Sequence, residues 1–400
     1  MIKQLFLCHH RANAAEVEQL ADALRIYGIK PWLDSQGGFQ LGDAFTAEAR
    51  RAIREDCFGL LFYATPEAFE RPFIRKIELN EAIQQRERNR EFVIITVLRS
   101  LSVTQLGELS RRHLGVDLSL YHAYPLPDSD ITGGMIHMPM TDLAARILPR
   151  VLRQAASGVR NAGCLSLQLS SRDRLPDEAE DVLFLDATRL MAQTSCDTAA
   201  WDTVASALFT VKNQVSQQLG RPRLKVHGSK HLTMATLFGH VFRAASGFQV
   251  EIRQKTEFWS TDCPSAPTEP FAITEEYGSY HTSSLFVEID ATGKTVRDAV
   301  RRYIQRADVY PALSLRFSYF PARQGPIDNQ TCCAMALQIR QTIATAVSQN
   351  EIADIHLFGT IPQGLALMIG YHLNALRPVQ LYEYVQGDYY PSGRLLMERT

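Results

Sequence analysis

The first part of the chain alternates strands with helices, and its central strands are apolar almost without interruption. Residues 57–64 and 92–98 are runs of this kind, each followed by a segment with helical periodicity. A strand that is apolar on both faces must be covered on both faces, which is typical of a parallel sheet between helices. Residues 1–155 are therefore predicted to form a doubly wound α/β domain, and a seam is expected at residues 157–158.

The composition of the whole chain limits its possible domain number, ligands and location. Its 400 residues suffice for two or three domains, and 42 Lys and Arg nearly balance 43 Asp and Glu, for a formal net charge of −1. This balance provides no general basic field for a long nucleic acid. Seven cysteines without a C-x-x-C pair fit a reducing cytosol rather than a disulfide framework or a zinc site. With no apolar run of membrane length and no signal-peptide pattern at the start, we expect a cytoplasmic protein.

One glutamate stands out on the helix that follows residues 57–64. At 100° per residue, Glu78 falls between Ile74 and Ala82 on one helix face. A carboxylate among apolar side chains at the mouth of an open sheet is a candidate for chemistry on a cationic or polarised substrate. By pattern alone, an ordinary helix glutamate is the commoner case, and the same holds for the second candidate, Glu81.

The order of several short motifs carries a family resemblance. FLCHHR closes the first strand at residues 6–11, WLD closes the second at 32–34, LG follows at 41–42, and I-x-x-x-E-L spans 74–79. As an ordered set over about residues 1–150, they resemble the TIR domain family, which implies a flavodoxin-like parallel sheet. In the family's enzymatic members a glutamate cleaves the N-glycosidic bond of NAD+ and releases nicotinamide, and Glu78 matches its position. The resemblance implies a set of NAD+-binding residues: His10, Arg11, Trp32, Asp34, Phe39 and Ile74.

Two departures from the TIR pattern affect this site. Cys8-His9 stands where Ser-Tyr is usual, and Ile74 stands where an aromatic residue often precedes the glutamate by four. The second change weakens stacking on nicotinamide unless Phe73 or Phe39 serves instead. The demand on Glu78 is modest, because nicotinamide is already a cationic leaving group and needs no acid. A carboxylate near the ribose suffices to stabilise an oxocarbenium-like transition state.

The adjacent histidines admit another interpretation. His9 and His10 are residue types that ligate metals or act as general bases. No third ligand follows at a suitable spacing, so pocket-lining or structural roles are favoured and no metal is expected.

The second half of the chain contains an internal repeat with an offset of 131 residues. Each copy reads as strand, glycine turn, helix and strand. The matched pairs are Gly228 with Gly359, Ala235 with Ala366, Gly239 with Gly370, and Gln249 with Gln380. Two such α/β units would pack about a pseudo-two-fold axis and share a cleft at the carboxyl ends of their strands. Chance agreement at four positions is the alternative.

The predicted cleft favours a small anion. Each turn offers backbone N–H groups at a helix N-terminus, and Lys230 adds charge. Aromatic residues at or beyond the strand ends are candidates for stacking on bases, although core packing is the commoner role. In a chain without net basic charge, this combination indicates a small cyclic or linear nucleotide rather than a polymer.

This half also resembles a known module. Residues 354–366, DIHLFGTIPQGLA, look like the C-terminal signature of SAVED domains, with a reduced copy in residues 227–254. The resemblance covers about residues 160–400 and implies two fused CARF-like Rossmann-type units, near 165–283 and 284–400. Such domains bind cyclic oligonucleotides made by bacterial antiphage nucleotidyltransferases. The turn residues are carried over as ligand contacts: Gly228, Ser229, Lys230, Gly359, Thr360 and Gln363.

Together the two resemblances imply a TIR–SAVED effector of cyclic-oligonucleotide-based antiphage signalling (CBASS). A cyclic oligonucleotide, expected to be cyclic tri-adenylate, would bind the SAVED domain and drive self-association into an oligomer or filament. Neighbouring TIR domains would meet through residues 36–42 and cleave NAD+, which is a substrate; no cofactor is expected. Two alternatives stay open: a non-catalytic TIR scaffold under a nucleotide sensor, and a nucleoside N-glycosidase of related fold.

Overall fold

The computed structural model describes residues 2–33, 43–127, 138–172, 182–191, 198–263, 269–278, 282–293, 296–373 and 377–395. Two compact units divide the chain. One comprises Met1–Ser157 with Ala179–Asp186, and the other comprises Gly158–Glu178 with Ala187–Thr400. The domain limits 1–155 and 160–400, with the two pseudo-repeats, stay predictions.

A five-stranded parallel sheet forms the centre of the first unit, in the order β2-β1-β3-β4-β5. Its strands are β1 (Gln4–His9), β2 (Pro31–Trp32), β3 (Cys57–Ala64), β4 (Val93–Leu98) and β5 (His122–Pro125). Every residue of β3 and β4 is buried, as their apolar sequences require. The predicted parallel α/β fold of this region is confirmed.

Helices alternate with these strands. They are α1 (Ala14–Ile26), α2 (Asp43–Arg51), α3 (Pro66–Phe69), α4 (Asn80–Arg88), α5 (Val103–Leu114) and α6 (Met138–Ala162). Helix α5 lies in a region whose strand order the sequence did not resolve, and a Ser102–Gln105 capping box starts it. The two compact units divide at residues 157–158, where the seam was predicted, and this boundary falls inside helix α6 rather than in a loop.

A second sheet has the order β10-β9-β8-β6-β7. Its strands are β6 (Cys164–Ser170), β7 (Val182–Asp186), β8 (Arg223–His227), β9 (Val250–Gln254) and β10 (Glu257–Ser260). The helices of this part are α7 (Thr188–Met191), α8 (Thr198–Leu219) and α9 (Leu232–Val241). The succession β8, turn, α9, β9 is the first predicted copy of the repeat.

The third sheet has the order β11-β13-β12-β14-β15-β16, with parallel strands at its centre and an antiparallel strand at each edge. Its strands are β11 (Ala272–Tyr277), β12 (Ser284–Asp290), β13 (Leu313–Ser318), β14 (Asp354–Thr360), β15 (Val379–Val385) and β16 (Asp388–Leu395). Its helices are α10 (Arg297–Ala307), α11 (Pro321–Gln324), α12 (Asn329–Gln349) and α13 (Gln363–His372). The succession β14, turn, α13, β15 is the second copy, and α13 packs against α9.

The cysteines depart from the expectation of reduced thiols. Cys263 and Cys333 form a disulfide between α carbons 6.8 Å apart. Among the described residues, the free cysteines are Cys8, Cys57, Cys164 and Cys332. Over the same described ranges, no helix is both long and apolar enough to cross a membrane.

Candidate functional site

Glu78 lies in a short π-helical segment, Ile74–Leu79, that runs directly into α4. Its side chain is buried, at 9% relative exposure, between Ile74 and Ala82, which are also buried. Single π turns within helices are rare and frequently occur at functional sites. The apolar flanks predicted from the sequence are therefore present, and the π turn is an addition that periodicity does not reveal.

The thiol of Cys8 provides the carboxylate of Glu78 with a hydrogen-bond donor. Cys8 is the next-to-last residue of β1 and is fully buried. Burial, the negative charge of Glu78 and the hydrogen bond to it together raise the pKa of Cys8 well above its usual 9.0. The thiol therefore stays protonated near neutral pH and donates to Glu78, as a serine hydroxyl at this position would.

Glu81 has a different environment, although it too is buried. Arg54 donates to both of its carboxylate oxygens, at 2.6 Å from Nε and 2.8 Å from the second guanidinium nitrogen. Arg50 lies 3.9 Å away. This bidentate pair occupies the carboxylate and gives Glu81 a structural role. Of the two candidate glutamates, the geometry favours Glu78 for chemistry.

Only some of the other predicted NAD+-binding residues lie in the part of the chain that the structure describes. His10 and Arg11 follow β1 at the carboxyl edge of the sheet, where Arg71 Nε lies 2.8 Å from His10 Nε2. Trp32 stacks on Phe6, with ring centroids 4.4 Å apart. Asp34 and Phe39 lie outside the described residues, as does the loop at 36–42.

A second candidate site is a cleft between the two copies of the repeat. The residues that line it come from α9, β12, β14, β15 and the turn before α13: Leu232, Thr233, Thr236, Ile289, Leu357, Phe358, Gly359, Ile361, Leu381 and Tyr382. Its walls are mainly aliphatic and aromatic, and its polar groups include two threonine hydroxyls. The cleft is therefore largely apolar, with threonine hydroxyls among its hydrogen-bonding groups.

The first predicted turn is fixed by Gly228 and by the buried Lys230. Gly228 has φ +95°, and a Cβ there would overlap the carbonyl oxygen of Leu169, so both conformation and space require glycine. The Nζ of Lys230 donates to the Gly228 carbonyl at 2.8 Å, and burial lowers the pKa of Lys230 to about 8. The carbonyl of Ser229 accepts from the Ser171 N–H. Lys230 thus braces its own turn and does not project into solvent.

The second predicted turn meets the first. Gly359 lines the cleft, and the carbonyl of Thr360 accepts from the Ala291 N–H at 3.1 Å. Gln363 Nε2 donates to the Lys230 carbonyl at 2.7 Å. The structure therefore brings the two sets of turn residues together, although they are more than 100 residues apart in the chain.

Side chains from the opposite copy cap both helices at this cleft. Glu383 on β15 accepts from Thr233 at the start of α9, at 3.1 Å from the backbone N and 2.7 Å from the hydroxyl. Gln254 on β9 accepts from the Gly364 N–H at the start of α13, at 3.1 Å. Sequence reasoning missed both caps. The available signal was a charged residue at an inward position of β15, two residues after the buried Leu381.

Most of the aromatic side chains near the strand ends pack in the core. Phe286, Phe358 and Tyr389 belong to one buried cluster, whereas Tyr384 and Tyr390 are exposed. Phe358 and Tyr382 are stacked at the cleft wall, with centroids 4.2 Å apart. Among the described residues, no group of three or more His, Cys, Asp or Glu is arranged to hold a metal ion.

Comparison with known families agrees with these features. The TIR domain model matches residues 5–124. The SAVED model, described as the SMODS-associated and fused to various effectors sensor domain, matches residues 209–395. The fold and the two matches define an α/β protein in which a TIR domain precedes a sensor domain. Each region matches the family model that its motifs resemble, and both resemblances inferred from the motifs are confirmed.

Individual relatives are more distant. The chain is 24% identical over 208 residues to CD-NTase-associated protein 4 of an Acinetobacter species, and 22% identical over 204 residues to that of Moraxella osloensis. Each match covers 51% of this chain, and the chain spans only 42% of the length of these relatives. A solved structure of the Acinetobacter baumannii Cap4 SAVED/CARF-domain containing receptor with the cyclic trinucleotide 2′3′3′-cAAA has a TM-score of 0.50 at 15% identity, over 89% of this chain and 86% of that one. That likeness shows the fold alone.

Proposed function

We propose that this chain is a CBASS antiphage effector whose TIR domain hydrolyses NAD+ when a cyclic oligonucleotide binds its SAVED domain. The observation that carries the proposal is that one chain joins a TIR fold, with Glu78 buried beside a thiol donor, to a sensor fold with a cleft between its two copies. The likeness of the sensor to a receptor solved with a cyclic trinucleotide supports the class of ligand.

The chemistry assigned to Glu78 is electrostatic. The bond between ribose C1′ and the nicotinamide nitrogen breaks, its electron pair leaves with nicotinamide, and positive charge develops on the ribose. A carboxylate among apolar groups stabilises that charge strongly, because water does not screen it. The Cys8 thiol holds the carboxylate in place. Water then attacks C1′ and loses a proton, which gives ADP-ribose.

We assign to the sensor domain a ligand that is a small cyclic oligonucleotide containing adenine, such as cyclic tri-adenylate. Adenine faces match the aliphatic and aromatic walls of the cleft, and the ribose–phosphate ring would lie along the turns at Gly228 and Gly359. The net charge of −1 over the whole chain argues against a long polyanion as the ligand.

Assembly is the proposed link between the two domains. A ligand that orders a surface of one protomer against a different surface of the next gives an open polymer rather than a closed ring. Neighbouring TIR domains would then meet through residues 36–42 and complete the site around Glu78. Light scattering during activation tests this step, and full NADase activity from a monomer at saturating ligand would contradict it.

Nicotinamide release under a panel of cyclic oligonucleotides tests the whole proposal. Wild type should release nicotinamide with at least one ligand, and Glu78→Gln should lower the rate by about 100-fold or more at unchanged ligand binding. Glu87→Gln, at an exposed position of α4, is the control. Ligand binding without NAD+ cleavage by wild type would favour a scaffold. Release of free base from deoxynucleosides but none from NAD+ would favour a nucleoside N-glycosidase.

A further inference from the structure

A disulfide joins the segment that follows β10 to helix α12. The α carbons of Cys263 and Cys333 lie 6.8 Å apart, although 70 residues separate the two cysteines in the chain. Nearby, the backbone N–H of Ser260 donates to the side-chain oxygen of Asn329, the first residue of α12, at 2.9 Å. The disulfide therefore reinforces a contact that a hydrogen bond already makes between the β9–β10 hairpin and the start of α12.

The two sulfur atoms differ in their access to solvent. Cys333 is buried, at 3% relative exposure, and its Sγ lies 3.7 Å from the Sδ of Met368 on α13. Cys263 is only partly buried. Thiol–disulfide exchange requires a thiolate to reach one of the two sulfurs, so access determines which sulfur is attacked. A thiol from solution therefore has its approach at Cys263.

The same hairpin covers the start of α13. Trp259 packs so closely on Gly364 that a methyl group at this glycine would overlap the indole ring. Gln254 accepts from the Gly364 N–H at 3.1 Å, and Gln363 donates to the carbonyl of Lys230 in the first turn at 2.7 Å. A continuous series of contacts thus leads from the hairpin that the disulfide holds to the two turns at the cleft.

We propose that Cys263 and Cys333 form a reversible redox site, at which a small thiol such as glutathione enters at Cys263 and the oxidised bond clamps the β9–β10 hairpin onto α12. The thiolate attacks the Sγ of Cys263, the bond to Cys333 breaks, and its electron pair leaves on the Sγ of Cys333, which takes a proton. A second thiolate then releases Cys263 as a thiolate, which is protonated, and forms the disulfide of the small thiol. Two electrons thus pass from two small thiols to the protein, and excess small-molecule disulfide reverses both steps.

Peptide mass spectrometry of the full chain in glutathione buffers tests the site. With excess glutathione disulfide, the peptides that carry Cys263 and Cys333 should be recovered cross-linked, and excess glutathione should open the cross-link. Cys332 is the internal control, because it is adjacent to Cys333 in sequence but free and fully buried, so it should carry no glutathione. A cross-link that never forms, or one that glutathione does not open, would overturn the inference.

Two single variants separate the roles of the two sulfurs. Cys333→Ser removes the internal thiol that would displace a bound glutathione, so this variant should accumulate one glutathione on Cys263 in excess glutathione disulfide. Cys263→Ser should accumulate none on the buried Cys333. Equal modification of the two variants, or modification of Cys333 alone, would contradict the entry at Cys263.

Melting temperature measures the clamp. The oxidised chain should melt about 5 °C or more above the reduced chain, because the bond restricts a 70-residue stretch of the unfolded chain. Cys263→Ser should abolish this difference, whereas Cys164→Ser, which changes a partly exposed free cysteine on β6, should leave it. Equal melting temperatures for the oxidised and reduced wild type would overturn the clamp. None of these measurements uses NAD+ or a cyclic oligonucleotide, so their failure is distinct from a failure of the proposed function.

Discussion

Gly239 of α9 and Gly370 of α13 lie at the crossing of their two helices, each against the backbone of the other. A methyl group on Gly239 would overlap the carbonyl oxygen of Leu367, and one on Gly370 would overlap that of Thr236. The two contacts are related by the same 131-residue offset as the repeat. The offset read from the sequence is thus a pseudo-two-fold relationship in space.

Substituting either glycine by alanine should destabilise the sensor. The obstructing atoms are backbone, which cannot move aside as the end of a side chain can, so we expect a loss of about 2 kcal/mol or more in the free energy of unfolding. Urea denaturation measures it. Gly158→Ala is the control, because Gly158 lies in α6 with no atom within 4 Å of the added methyl. That variant should be neutral or slightly stabilised, and equal losses in all three variants would contradict the close crossing.

The thiol of Cys8 should act through Glu78 as a positioning group. Cys8→Ser keeps a donor and should retain nicotinamide release within about threefold, whereas Cys8→Ala should lower it about tenfold, as expected for one lost hydrogen bond to a charged group. Since the pKa of Cys8 is raised and the residue is fully buried, iodoacetamide should not modify it in the folded protein even at pH 9. Mass spectrometry of the labelled peptides checks this, and rapid labelling would contradict the buried position.

Substitution of Glu81 should lower stability, whereas substitution of Glu78 should lower activity. Glu81→Gln breaks the bidentate pair with Arg54, and because that arginine is about half exposed we expect a loss of roughly 1–2 kcal/mol rather than the larger cost of a fully buried pair. Nicotinamide release per folded molecule should be retained. Glu78→Gln should behave oppositely, with unfolding near that of wild type and the activity lost. The reverse pattern would make Glu81 the catalytic carboxylate.

Lys230 should make the free energy of unfolding depend on pH in the alkaline range. Its folded-state pKa of about 8 lies below the ordinary value of 10.5, so between these values the unfolded chain binds more protons than the folded protein. Stability from this group therefore rises with pH through that window. Relative to Lys230→Met, wild type should gain about 2 kcal/mol between pH 8 and pH 10. Lys225→Met, at a partly exposed position of β8, is the control, and a difference between wild type and Lys230→Met that does not change with pH would contradict the assignment.

The buried strands and the repeat could be predicted from the sequence because they depend on local patterns. The apolar runs in β3 and β4 specify strands covered on both faces, and the glycines at 228, 239, 359 and 370 recur at one offset. Helix α5 was also readable in principle, because Ser102 and Gln105 form a capping box and Gly115 ends the helix with positive φ. Helical spacing likewise placed Glu78 between Ile74 and Ala82.

The environment of each candidate residue was decided by tertiary structure. Cys8 meets Glu78 only because β1 pairs with β3 and the π-helical segment returns over β1. Lys230 stays a predicted ligand contact, and the hydrogen bond from its Nζ to the Gly228 carbonyl is one that the sequence pattern does not reveal. Glu383 reaches Thr233 only across the packed halves of the repeat. Sequence pattern specifies which residues share a face of one element, whereas strand register and helix packing determine which distant side chains meet there.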